Sequence, residues 1–151
     1  GVPIVTGDTK VVERGKGDKI FINTSALGQV HPKAKISSSR IQVGDRILIN
    51  APIAQHGVAI LSVRQGLEFE TTVLSDTRPL HHVVKKLIEA CCEEIHFLRD
   101  PTRGGVATVL NEVASQARVG VDLLQKTLPI EDPVEGACEM LGLDQLYVAN
   151  E

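Results

Sequence analysis

The stretch Arg99-Asp100-Pro101-Thr102-Arg103-Gly104-Gly105 combines a carboxylate, a hydroxyl, two guanidinium groups and paired glycines within one short run. It follows an apolar run at residues 95–98 and precedes a helical pattern that extends to about Ala117. A strand, a turn holding a carboxylate and two glycines, and then a helix start suit phosphate and Mg²⁺. Glycine lets the backbone approach an anion closely, and the free N–H groups of a helix start point at it. A carboxylate facing phosphate implies a bridging cation, which makes Asp100 a candidate metal ligand. The same seven residues also fit an ordinary strand-to-helix connection. In that reading Asp100 is an N-cap, Pro101 takes the first helical position and the glycines merely turn.

Other reactive side chains are scattered. Asp8 and Thr9 lie in a Gly-Asp-Thr turn between apolar runs, a composition that also suits a β-bulge or tight turn. Lys10 follows, where solvent-facing alternation accounts for it. His56 precedes Gly57 and a helix start. His31, His81, His82 and His96 show no metal-ligand spacing, and His81 and His82 point to different faces of a helix. Cys91, Cys92 and Cys138 do not make a disulfide framework; small, buried helix residues are expected, in a reducing cytoplasm.

The 151 residues, 42% apolar and 23% charged, can fold as a soluble globular protein. A formal net charge of −3 with no basic run gives no reason to expect nucleic acid. No apolar stretch approaches the ~20 residues that span a bilayer, and no signal peptide is visible. The chain opens without Met on an apolar run and stops at Ala149-Asn150-Glu151, which reads as a strand entering a site, so a fragment of a longer protein is expected.

The positioning elements follow from periodicity. Residues 2–12 and 20–27, either side of a polar turn at 13–19, predict a β-hairpin. Residues 29–39, with Pro32 and three consecutive serines, read as a linker, so the expected division is 1–40 and 41–151. Strands are expected at 46–50, 93–98 and 119–124, and a polar loop at 68–77. Helices are expected at 58–65, from Pro79 onward, at 106–117 and at 133–141. The alternation predicts an α+β (mixed α/β) fold.

Three stretches together resemble one family: Val5-Thr6-Gly7-Asp8-Thr9-Lys10-Val11-Val12, Asp100-Pro101-Thr102-Arg103-Gly104-Gly105, and Leu141-Gly142-Leu143-Asp144 with Tyr147-Val148-Ala149-Asn150-Glu151. Gln55-His56-Gly57 adds to the likeness. Their order and separations resemble the HypE hydrogenase maturation proteins. These belong to the ATP-using superfamily of aminoimidazole ribonucleotide synthetase, selenophosphate synthetase and thiamine-monophosphate kinase. The resemblance implies the end of an N-terminal ATP-binding and dimerisation domain (residues 1–40) plus an incomplete C-terminal α/β domain (41–151). An upstream acidic stretch with further Mg²⁺ ligands, and a C-terminal tail ending in a reactive cysteine, are absent, so this piece alone is expected to be inactive.

The resemblance also implies a chemistry: ATP-dependent dehydration of a carboxamide on that cysteine sulfur to a thiocyanate, the source of cyanide ligands for the iron of nickel–iron hydrogenases. It implies ATP and Mg²⁺, homodimerisation, a carbamoyltransferase partner HypF and a HypC–HypD complex. Asp100 and Asp8 become metal candidates. Thr9, Thr102, Arg103, Gly104, Gly105 and His56 join them in contacting nucleotide, although Arg103 could equally pair with Glu112. Lys10 and Glu151 become the catalytic pair, with Glu151 accepting a proton. Another superfamily member such as selenophosphate synthetase, or a non-catalytic assembly module, are the alternatives.

Overall fold

Val134, Ala137 and Cys138, spaced three and four residues apart, form the buried stripe of a helix, α4 (Asp132–Leu141). Pro133 sits in its first turn, where a missing N–H costs nothing, and Gly142 ends it in left-handed backbone with its N–H on the Cys138 and Glu139 carbonyls. The computed structural model of the chain describes residues 2–17, 19–67 and 72–151. Among them are three further α-helices: α1 (Gln55–Gln65), α2 (His81–Cys91) and α3 (Gly105–Ala117). Helix α1 packs on α4, and Ala54, Val58, Val134, Ala137, Cys138 and Val148 make the core, with Val73, Ile130 and Leu143 at its margin. Burial pushes the Cys138 thiol above its ordinary value, and nearby Asp144 adds to this, so Cys138 behaves as a small apolar side chain.

The last residues of the chain are stitched to the starts of α1 and α3 by one buried amide. Asn150 is 4% exposed. Its Oδ1 accepts from the Ala54 N–H at 2.6 Å, and its Nδ2 donates to the Val148 carbonyl at 3.0 Å and the Pro101 carbonyl at 3.3 Å. Its own backbone N–H also reaches the Pro101 carbonyl, at 3.2 Å. Ala54 is left-handed (φ 70°) and fully buried at the N-cap of α1, a conformation that costs an L residue about 1–2 kcal/mol. Glycine makes the approach possible. Gly105 has φ 62°, and a Cβ there would lie 2.6 Å from the Val148 carbonyl oxygen and closer still to that of Leu146. A Cβ on Gly57 would collide with Val148, while the Gly57 N–H donates to the Ala149 carbonyl at 3.0 Å.

A second set of polar contacts ties residues 35–45 to 93–96. The Arg40 guanidinium donates to the carbonyls of Lys35 (2.5 Å), Glu93 (2.6 Å) and Ile95 (3.2 Å). Lys35 pairs with Glu93. His96 Nδ1 meets Asp45 Oδ2 at 2.7 Å, and the Gln42 N–H donates to the same carboxylate. The His96 hydrogen bond, then the Gln42 N–H, holds the Asp45 carboxyl below its ordinary value against partial desolvation.

The chain divides into two compact units, Gly1–Val30 and His31–Glu151. Helices appear where expected, with shifted starts: α1 begins at Gln55 rather than 58, and α2 at His81, two residues after Pro79. The expected strands do not appear. Residues 2–12 and 20–27 form no hairpin, and 46–50, 93–98, 119–124 and 146–151 form no ladder among the described residues; Glu93 and Glu94 belong instead to a short 3-10 turn, Cys92–Glu94. Val2, Ile4, Val5, Val11, Ile20, Phe21, Ile22, Leu48 and Ile49 are instead exposed. The physical reason is that a strand, unlike a helix, satisfies its N–H and C=O groups on another segment, and alternation in sequence supplies no partner. Gly1, Asp18 of the expected turn and 68–71 of the expected loop lie outside the described residues. Of the cysteines only Cys138 is buried; Cys91 is exposed and Cys92 half-buried, because α2 ends there with Cys92 at φ 49°. No helix among the described residues is long and apolar enough to cross a membrane.

Three outcomes follow from these contacts. Asn150→Asp keeps an acceptor for Ala54 but turns a carboxylate oxygen against two carbonyls. It should lower the unfolding free energy of the chain by about 2–4 kcal/mol at pH 7, partly recovered in acid, by urea titration. Gly105→Ala should cost more than the ~1–2 kcal/mol of left-handed backbone alone. Asp45 has a depressed folded pKa, so its stabilisation is present above the ordinary aspartate value of about 3.9 and is lost as pH falls through the lower folded value. Asp45→Asn should flatten the stability-against-pH curve in that acid window, read by urea titration at a series of pH values.

Candidate functional site

The loop at residues 99–105 does not cap α3 through its aspartate. The helix starts at Gly105 with Gly104 as a left-handed N-cap (φ 70°), so Asp100 and Pro101 lie upstream of it. The ordinary connection, with Asp100 as N-cap and Pro101 at the first helical position, is therefore overturned: two glycines with positive φ turn the chain instead. Asp100 is exposed, and its Oδ2 accepts the Thr102 hydroxyl at 2.9 Å. Arg103 and Gly104 are exposed at the helix start, whereas Gly105 is buried against residues 146–148. The close approach that Gly105 permits is thus to protein backbone, and Gly104 is the glycine open to solvent. It is Arg99, not Arg103, that pairs with Glu112, at 3.3 Å; Arg99 also lies 4.0 Å from Asp100.

Beside this loop a small cleft is lined by Asn50, Asp76, Arg78, Pro101, Asn150 and Glu151, among others. The Glu151 N–H lies 3.3 Å from both carboxylate oxygens of Asp76, and its side chain is exposed. Arg78 donates to the Asn50 carbonyl at 2.9 Å. His56, in the first turn of α1, meets Ser75 Oγ through Nδ1 at 2.9 Å, and Ser75 in turn meets Thr77 Oγ1 at 2.6 Å. His56 also lines an open apolar groove with Ile60, Leu61, Leu143 and Tyr147. The structure therefore gathers Asp100, Thr102, Glu151 and the start of α3 around Pro101 and Asn150, with His56 at the neighbouring start of α1.

Asp8, Thr9 and Lys10 lie in the other unit, where all three are exposed and Asp8 Oδ1 accepts the Thr9 N–H at 2.8 Å. No group of three or more metal-binding side chains occurs among the described residues. Sequence reasoning passed over Asn150, Ser75, Asp76 and Arg78. A signal was present: Ser75-Asp76-Thr77-Arg78 before Pro79 is a run of side chains suited to holding backbone groups.

Residues 42–151 match the family described as AIR synthase related protein, C-terminal domain. Over its whole length the chain is 55% identical to the hydrogenase expression/formation protein HupE of Azotobacter chroococcum mcd 1 and 53% identical to the carbamoyl dehydratase HypE of Azotobacter vinelandii. It spans 44% of the length of each. Among solved structures, HypE in complex with ATP matches 76% of this chain and 34% of its own at 48% identity, with a TM-score of 0.73. A HypE–HypF complex matches 77% of this chain and 38% of its own at 42% identity, with a TM-score of 0.74. These likenesses support the α+β class of the aminoimidazole ribonucleotide synthetase-like fold, of which the described residues supply helices and connections. The chain belongs to the family of AIR synthase related proteins, as a bearer of their C-terminal domain.

Proposed function

We propose that this chain is part of an ATP-dependent carbamoyl dehydratase that serves nickel–iron hydrogenase maturation. The observation that carries the reading is its likeness to the ATP complex of HypE, 48% identical over the shared part, together with relatives named carbamoyl dehydratase HypE. Those likenesses favour HypE over selenophosphate synthetase.

The substrate is a carboxamide on a cysteine sulfur, whose oxygen leaves poorly until it is phosphorylated. Transfer of the γ-phosphoryl group to that oxygen, with loss of one N–H proton, leaves an imidate. Loss of the second N–H proton then forms the C≡N bond as the C–O bond breaks and phosphate departs, giving a thiocyanate. Glu151 accepts a proton from nitrogen, and Lys10 neutralises charge near the amide or the γ-phosphate. Asp100, with Thr102 on its carboxylate, would hold Mg²⁺, and Asp8 is a second candidate ligand. One or two carboxylates plus phosphate oxygens suffice for that ion, so a preformed protein cage is not required. Bound Mg²⁺ supplies neutralisation of the triphosphate charge. Arg103, the exposed Gly104 backbone and His56 would contact nucleotide, with Thr9 a further candidate, whereas Gly105 serves the packing of residues 146–148.

The HypE–HypF complex supports a HypF-type carbamoyltransferase as partner. We extend the proposal to a HypC–HypD complex as acceptor and to a homodimer, for which the exposed apolar residues of 2–30 offer surface. Three free cysteines suit a cytoplasmic protein.

In the full-length protein, Asp100→Ala should weaken Mg–ATP binding by about tenfold or more by calorimetry. Glu151→Gln should keep ATP affinity and lower the rate of thiocyanate formation, read by mass spectrometry, by about 10²-fold or more. ATP binding unchanged in Asp100→Ala would remove that residue from the site.

A further inference from the structure

Four consecutive residues, Ser75 to Arg78, are where the chain fastens separate parts of the site. Ser75 holds the His56 ring through Nδ1, Asp76 takes the Glu151 N–H on its two oxygens, and Arg78 holds the Asn50 carbonyl. Thr77 closes the segment on itself, with its N–H on Ser75 Oγ at 3.1 Å. We propose that Asp76 is a positioning residue for Glu151, setting where the Glu151 carboxylate stands relative to the Asp100–Gly105 loop.

Three observations carry this. Asp76 is half-buried, and no basic group lies within ion-pair distance of it among the described residues, so an ion pair does not account for it. Both carboxylate oxygens lie equally far from one backbone N–H, an arrangement that fixes a chain segment rather than a side chain. The neighbouring residue Asn150 is anchored independently, to Ala54 and Pro101. Glu151 is therefore fastened through its own N–H and through its neighbour Asn150, while its side chain is exposed. Small displacements of a reacting group cost rate far more than affinity. The inference deepens the proposed dehydratase reading and rests on it.

The test uses the full-length protein, with hydrogen exchange at the Glu151 amide, ATP affinity and the rate of ATP-dependent thiocyanate formation as readouts. Asp76→Ala should speed exchange at that amide by about tenfold or more and lower kcat by about tenfold or more, with ATP affinity within about twofold. Asp76→Asn keeps an acceptor oxygen and should stay within about threefold of wild-type kcat. Unaltered exchange or unaltered kcat in the alanine variant overturns the proposal, as does an asparagine variant as impaired as alanine, which would make charge rather than placement the cause. If the alanine variant does not fold, Asp76→Glu decides. It retains charge but moves the oxygens by one methylene, so lowered kcat at unchanged ATP affinity supports placement and wild-type kcat overturns it. A wild-type protein that makes no thiocyanate with ATP sinks the dehydratase reading instead, and amide exchange still decides whether Asp76 holds Glu151.

Discussion

The whole arrangement depends on one buried amide. Asn150 joins three segments distant in sequence: the entry to α1 at Ala54, the loop carrying Asp100, and the final turn at 146–148. An amide suits this place because it offers an acceptor on one side and two donors on the other, matching one N–H and two carbonyls. A single hydrogen bond adds only about 1 kcal/mol net, but a buried group left without its partner costs about 1–3 kcal/mol, so the penalty for disorder exceeds the reward for order. The same contact answers the N–H of Ala54 in its left-handed conformation, so it both tolerates local strain and aims the first turn of α1.

Glycine provides the complementary half of that constraint. Gly57 and Gly105 stand near the starts of α1 and α3, where a side chain would run into residues 146–149. Two helix starts can therefore lie against one short segment, the turn at Gln145–Tyr147 and the residues that follow it toward Glu151. Helix starts, loop carboxylate and terminal glutamate share a frame made of backbone and one neutral side chain. Shifting residues 146–150 would move all of them together.

Helices were legible in the sequence because their hydrogen bonds are local. Pro133, the Val134-Ala137-Cys138 stripe and Gly142 announce α4 without reference to the rest of the chain. Strands were not, since runs such as 46–50 and 20–27 show apolar patterning but depend on partners that no local rule names. The Asp100–Gly105 loop stood out by composition, yet composition could not tell which glycine faces solvent. Gly105 proves to be an aperture for backbone, and only spatial contact reveals that. Nor could spacing show that Arg99 rather than Arg103 reaches Glu112, because both lie within reach of the same helix face. The membership of Asn150 and Asp76 in the site was invisible for a related reason. Each acts on backbone groups about fifty or more positions away in sequence.

The site therefore has two layers with different mechanical duties. The inner layer, Asn150 with Gly105 and Ala54 buried and Gly57 half-buried, is satisfied and intolerant of volume. The outer layer, Asp100, Thr102, Arg103 and the Glu151 side chain, is more open to solvent, and the one hydrogen bond among its side chains runs from Thr102 to Asp100. The phosphate–cation pair we propose for this site would demand that division. In that proposal the Asp100 oxygens would swing to meet an ion whose geometry is strict, while the backbone beneath would not follow them. Freedom in the outer side chains is useful only because the inner layer removes freedom from the chain that bears them.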